Sequence, residues 1–499
     1  MASQGFFGRA VFIAFWAHIL WYALRGSEHT SPLFVEAELG NLHEVEAILK
    51  AGAPPGLGKS SLVAGGVLVE HSTPLSAAAS NGHAAVVEAL LRAGASQKTG
   101  LTIGPLGVFY RKTPLFAAAL KGHMPVVEQL LRAGASPKSG FTIGPWGLFF
   151  HETPLIAAAQ NGHSPVVKAL LRAGSSPSSG LRGDPDLLGS TTPLYAAAHG
   201  GHLAAVDALL RAGASPHNGF TSLPTRLFKH VTPLYAAAEL GHASVVEALL
   251  AAGASPNSGF SDGAVFIFKT VTPLYAAALN EHTPVVEALL RAGASPKAGS
   301  ISAFGVFDST PPLYTVVENN HKPVMEALLR AGASPSDAFT LGPLGVLFRE
   351  TPLSVAARHG MTLMVDAFLK AGASPGSATT IGPLGLMASW EPLSAAAYHG
   401  HTAVVERLMK AGASSSSCAT YGPLGVFGCE TPLHSAATNG HMTVVEALLK
   451  AGASPTVGNT VMFGWFNSSE STPEEAALEQ GHADVALRLQ RAAAEKAAG

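Results

Sequence analysis

The sequence predicts an all-α repeat solenoid, a stack of helix-turn-helix units, with extended β-hairpin fingers projecting from it. Three observations carry that prediction. A core of the form TPL…GH..VVEALL..AGASP recurs twelve times, with its proline at Pro32, Pro74, Pro114, Pro154, Pro193, Pro233, Pro273, Pro312, Pro352, Pro392, Pro432 and Pro473, a step of about 40 residues. Large side chains are segregated: sixteen of the 23 Phe lie between AGASP and the next TPL, and the five Trp lie there or in the first 21 residues. Helical cores of Ala, Val and Leu therefore alternate with aromatic-rich connectors, the reverse of ordinary polar loops.

The unit from Thr113 to Glu152 shows how each element follows from its residues. Thr113 is a natural N-cap, and Pro114 stands at the first helical position, where a missing amide hydrogen costs nothing. An Ala-rich helix follows, with Ala117 to Ala119 small enough for close helix approach. Lys121-Gly122 turns the chain, and Pro125 to Leu131 places Val and Leu on one face at helical spacing. Gly134 ends that helix in the left-handed region. One such pair cannot bury its apolar stripe alone, so stability must come from stacking.

Five connectors carry a Gly-Pro-Leu/Trp-Gly turn, at 104–107, 144–147, 342–345, 382–385 and 422–425, flanked by β-forming residues such as Phe141-Thr142-Ile143 and Leu148-Phe149-Phe150. Each reads as a β-hairpin. Two strands at about 4.8 Å span roughly 10 Å, close to the spacing of packed helices, so successive fingers fit into one sheet along the array. The middle connectors, around 182–185, 223–226 and 261–263, lack the turn motif. Tyr195, Tyr235, Tyr275 and Tyr314 cluster in the same section and are expected to fill space between repeats.

The pattern resembles the ankyrin repeat, TPLHxAA followed by GHxxVVxxLLxxGA, from about Ser31 to Ala493. The resemblance implies a non-enzymatic protein-interaction scaffold. Two departures are notable. The motif histidine after TPL survives only as His434, and each unit exceeds the family's 33 residues by about seven, with the surplus in the connector.

Composition narrows the function further. A formal net charge of −2 with 13% charged residues supplies no basic field for nucleic acid, while a mean hydropathy of +0.27 points to apolar surface meeting another protein or a membrane. The recurrent His of GH, as in His83, His123 and His163, comes once per repeat, about 10 Å apart, too far for shared zinc ligation. It reads as a hydrogen bond that pins each turn, and neither metal nor cofactor is expected. Gly58-Lys59-Ser60 sits in a relaxed P-loop pattern, but a helix precedes it and a finger follows. A phosphate loop needs the opposite order, so a nucleotide-binding enzyme is the remote alternative. Cys418 and Cys429 flank one turn and suit a disulfide or a reduced pair equally. Asn467-Ser468-Ser469 matches a glycosylation triplet.

Residues 1–29 form a separate segment ahead of the array at 30–499. Ala10 to Leu24 is apolar apart from His18. A cleaved targeting peptide, a hydrophobic cap and a membrane anchor all remain open; the anchor, with Phe12, Phe15, Trp16, Ile19, Leu20 and Trp21 in lipid, is the favoured reading. The expected partner surface is the aromatic edge of the fingers: Phe109, Tyr110, Trp146, Phe149, Phe150, Phe348, Trp390, Phe427 and Trp465. Together these give a membrane-associated accessory subunit that docks on a larger, multi-subunit membrane complex. The alternative is a cytoplasmic adaptor that binds its protein partner through the concave helical face.

Overall fold

The computed structural model describes residues 29–498 except 64–67, 99, 104–109, 144–149, 179–189, 223–227, 265–266, 303–307, 343–346, 383–387, 422–427 and 464–466. Among the described residues, twenty-four helices pair as an inner helix of seven or eight residues and an outer helix of nine, the last outer helix extending over Ala483–Ala498. The chain divides into two compact units, residues 1–258 and 259–499. The apolar segment at 10–24 lies outside the described residues. Among the described ones, no helix is long and apolar enough to cross a membrane.

Each inner helix begins as the sequence dictates. Thr113 is extended, its hydroxyl oxygen accepts from the Phe116 amide at 3.2 Å, and Pro114 opens the helix. The same hydroxyl donates to the Ser139 carbonyl at 3.0 Å, 26 residues on, in the next connector. Thr192, Thr232 and Thr431 repeat both bonds, reaching Asn218, Ser258 and Val457. One hydroxyl thus caps a helix and holds the following finger against it.

The alanine triplets are buried, as are the Val-Val and Leu positions of the outer helices. The GH histidines tie neighbouring repeats together rather than closing their own turn. His123 Nε2–H donates to the Ser80 carbonyl at 3.0 Å, and His163 to the Leu120 carbonyl at 3.1 Å; His202, His401 and His441 act alike. Each ring lies over the turn glycine of the preceding repeat. Gly122 has φ of +78°, and a Cβ there would sit 2.5 Å from His163 Nδ1. Glycine is required twice over, for the left-handed backbone and for the ring.

Two positions test this rule. Glu281 and Asn320 occupy the turn-glycine position with φ of 62° and 57°. Over Glu281, His321 no longer reaches the preceding carbonyl; its Nε2 lies 3.6 Å from the Glu281 carboxylate and its Nδ1 is buried without a partner. Over Asn320 the histidine is replaced by Met361. The same repeat begins with Pro311, which gives no side-chain cap, and replaces the alanine triplet by Thr315-Val316-Val317, the Thr315 hydroxyl being buried and unpartnered.

The fingers pair as antiparallel hairpins, but the described strands form two sheets rather than the single one expected. In residues 1–258, seven antiparallel strands run in chain order from His29–Thr30 to Phe150–Glu152. Beyond 179–189, Ser190 bridges Thr221 beside the hairpin of Phe220–Ser222 and Phe228–Val231. In residues 259–499, antiparallel pairing continues from Phe260–Ala264 to Asn467–Ser471. Cys418 and Cys429 are joined by a disulfide, with Cα atoms 5.4 Å apart.

Rings join the two layers. In three units the third residue of the inner helix meets the first aromatic of the next finger: Phe116 with Phe141 at 5.8 Å, Tyr195 with Phe220 at 5.9 Å, and Tyr314 with Phe339 at 5.3 Å. Such pairs contribute about 1 kcal/mol beyond area burial. Tyr314 also donates to the buried Glu350 carboxylate at 2.8 Å, and Arg358 lies 3.3 Å from the same group.

Gly122→Ala is expected to lower stability by about 2 kcal/mol, through the left-handed backbone and the displaced ring, but by only about 1 kcal/mol in a His163→Ala background. Chemical denaturation of the four proteins measures this coupling. Arg358→Met strands the Glu350 charge and is expected to cost about 3 kcal/mol, most of it recovered by adding Glu350→Gln.

Candidate functional site

The sheet has two faces, and period-two alternation separates them. Lys112 and Leu101 line a cavity together with Ser76 and Ala117 of the inner helices, so their register faces the helices. Cross-strand partners carry that face from Leu101 through Lys112 to Phe141 and Glu152. The opposite register is polar: His71, Thr102, Arg111, Thr142 and His151 in residues 1–258, and Thr340, Arg349, Thr380, Ser389, Thr420 and Cys429 in residues 259–499.

This settles where the described aromatic residues sit. Tyr110 is half-buried against Phe141 at 4.7 Å, and Phe348 packs 5.9 Å from Phe339. Trp390 is half-buried beside the inner helix Pro392–Tyr398. Phe150 pairs through its backbone with Ile143, and nothing is described of its side chain. Phe109, Trp146, Phe149, Phe427 and Trp465 lie outside the described residues, as do Phe12, Phe15, Trp16, Ile19, Leu20 and Trp21.

In each of the two compact units, a groove with cavities lies between helix-facing strand residues and the inner helices. In residues 259–499, a cavity of about 380 Å³ is walled by Trp390, Tyr398 and His399, with Arg358 and Ser394 below. Ser394 is 4% exposed, and its hydroxyl has no partner; the Arg358 Nε–H is likewise buried and unpaired. Burial, reinforced by the nearby His401 and Arg358, pushes the His399 pKa down. The imidazole is therefore neutral at pH 7 and offers one donor and one acceptor.

In residues 1–258, a second cavity of about 410 Å³ is lined by Glu152, Gln160, Tyr195, His199, Phe220 and Lys229 among others. Burial raises the Glu152 carboxyl pKa, with Lys112 pulling it back, and burial followed by Glu239 raises the Tyr195 phenol. A third, of about 220 Å³, is the most polar of the three and gathers Lys59, Lys112 and several serines.

Among the described groove residues, neither a phosphate loop nor a metal cluster is formed. Lys59 opens the strand Lys59–Val63 and is followed by another strand, so the loop-to-helix geometry of a phosphate loop is missing. Among the described residues, no three His, Cys, Asp or Glu converge on a metal site. Of the expected partner residues that are described, Trp390 lines a groove cavity; Tyr398, Arg358 and Ser394 were missed. Their signal was positional: they occupy the two sites flanking the alanine triplet, which vary from unit to unit while the triplet stays largely alanine.

A family model described as ankyrin repeats (3 copies) matches residues 33–140, 115–219, 155–259, 229–300, 353–459 and 393–497. The unmatched interval, 301–352, contains the repeat with Pro311, Asn320 and Thr315-Val316-Val317. No curated protein matches the chain. Among solved structures, the ankyrin repeat domain of human ASB11 is similar at 25% identity, over 53% of this chain and 99% of that one, with a TM-score of 0.39. Ankyrin arrays are protein–protein interaction scaffolds and are generally non-enzymatic. With most of its length matched and its helix pairs, turn glycines and fingers in register, this chain belongs to the ankyrin-repeat family.

Proposed function

We propose that this scaffold holds its protein partner in the groove between the inner helices and the helix-facing side of the fingers. The observation that carries the reading is the Trp390–Tyr398 cavity: two aromatic walls over a buried hydroxyl and a buried guanidinium N–H, neither of which has a partner within the chain. Unmade hydrogen bonds of that kind cost about 1–3 kcal/mol each, and a bound peptide carbonyl or side chain relieves them. Aromatic anchors beside such donors are the usual composition of interaction hot spots. The polar outward register of the described strands offers no comparable surface.

A second reading keeps the finger tips as the docking edge and residues 10–24 as a membrane anchor, which makes the protein an accessory subunit of a membrane complex. It draws on the apolar run itself and on the aromatics Phe109, Trp146, Phe149, Phe427 and Trp465. The two readings part in one experiment. A photo-crosslinking residue is placed in turn at Tyr398, at Thr380 on the outward face, and at Phe149 in a tip. Groove recognition expects the partner to be captured at Tyr398, with Tyr398→Ala and Trp390→Ser in the otherwise unlabelled chain each weakening association about tenfold or more. Capture at Phe149 together with resistance to alkaline extraction from membranes gives the second reading instead.

A further inference from the structure

The groove at the N-terminal end of residues 1–258 has a chemistry unlike the aromatic cavities. Its cavity of about 220 Å³ collects Lys59 and Lys112 from two different fingers and Ser72, Ser76 and Ser80 from one repeat. Ser76 is only 4% exposed. Among the described residues, neither ammonium is within ion-pair distance of a carboxylate, and the three serine hydroxyls make no side-chain hydrogen bond. Two ammoniums without a carboxylate in ion-pair distance and three hydroxyls without a side-chain hydrogen bond therefore line one small cavity.

That arrangement does nothing for the fold. Lys112 is half-buried with its Nζ over the Phe116 ring at 5.9 Å. Burial and the nearby Lys121 both disfavour its charge, and Glu152 offsets this only in part. A group whose folded-state pKa is lowered supplies its stability above the unfolded value and loses it as pH falls, so at neutral pH the charged Lys112 is a cost to folding. Glu38, an exposed residue, also lines the cavity, and its carboxylate is not within ion-pair distance of either ammonium. The cost is of the kind carried at binding sites rather than at packing sites.

We infer that this cavity receives a phosphorylated serine or threonine side chain of the protein held in the groove, with Lys59 and Lys112 neutralising the phosphoryl group and Ser72, Ser76 and Ser80 donating to its oxygens. The inference rests on the groove being the recognition surface. A phosphoryl group matches the site better than a carboxylate does. It carries a charge of about −1.5 to −2 and three strong acceptor oxygens, against two ammoniums and three hydroxyls, whereas a carboxylate brings one charge and two oxygens. Lysine serves here as a movable point charge, reaching the anion from two separate fingers.

The probes are N-acetyl-O-phosphoserine amide and N-acetyl-glutamate amide, titrated calorimetrically into the full chain at pH 7.5 and constant ionic strength. The phosphoserine amide is expected to bind saturably with a Kd near 1 mM, and the glutamate amide at least about tenfold more weakly. Lys59→Gln and Lys112→Met are each expected to weaken phosphoserine binding about tenfold or more. In phosphate-free buffer, Lys112→Met is also expected to raise the Tm, because it removes the disfavoured charge while keeping the contact with Phe116. Absence of saturable binding, equal binding of the two probes, or unchanged binding in Lys59→Gln overturns the inference, and so does a Tm lowered by Lys112→Met. Crosslinking of the partner at Tyr398 without phosphoserine binding would leave groove recognition standing and remove only this assignment.

Discussion

Everything in this molecule depends on one commensurate spacing. Each repeat must advance the helical stack and the sheet by the same distance, because the two layers are built from the same chain. Two strands advance a sheet by roughly 10 Å, and packed helices sit 8–10 Å apart. Alanine triplets bring the inner helices close enough, while the threonine hydroxyl holds each finger to the helix before it. The histidine clasp then fixes the step, since its ring fills the space above a glycine one repeat earlier. A side chain in that space ends the clasp, as at Glu281 and Asn320.

With the spacing fixed by these recurrent contacts, the positions that face the groove are released to vary. The residue three into the inner helix is Phe116, Ile156, Tyr195, Ser394 or His434; the last residue before the cap is Lys112, Glu152, Val231, Glu350 or Trp390. Neighbouring stretches of groove thus have different chemistry on an unchanged frame. Where such residues are not available to a partner, they are spent on joining the layers, as in the Tyr314–Glu350–Arg358 cluster.

Much of this was legible in the sequence because it is local. Thr113-Pro114, Gly122 and Gly134 each declare their conformation within three or four residues, and the Gly-Pro-Leu-Gly turns declare hairpins. The histidine's role was legible only in kind. Its spacing excluded a metal, but the acceptor lies 43 residues back, in a neighbour the motif does not mention. The facing of the aromatic residues was not legible either. A run such as Leu148-Phe149-Phe150 reads the same in either register, and only the inward position of Lys112 and Leu101 resolves it for the described strands. Nor did the sequence bring Lys59 to Lys112, which are 53 residues apart and meet through the sheet.

The repeat at 311–350 has a mechanical consequence. In a chain of nearly identical links, the energy of opening is set by the weakest joint rather than by the mean. This repeat lacks the threonine cap and is flanked by the two joints where the histidine clasp fails, His321 over Glu281 and Met361 over Asn320. A pull along the array therefore concentrates at one seam instead of spreading evenly. Within residues 259–499, opening is expected first at this repeat, with the repeats on either side keeping their own interfaces.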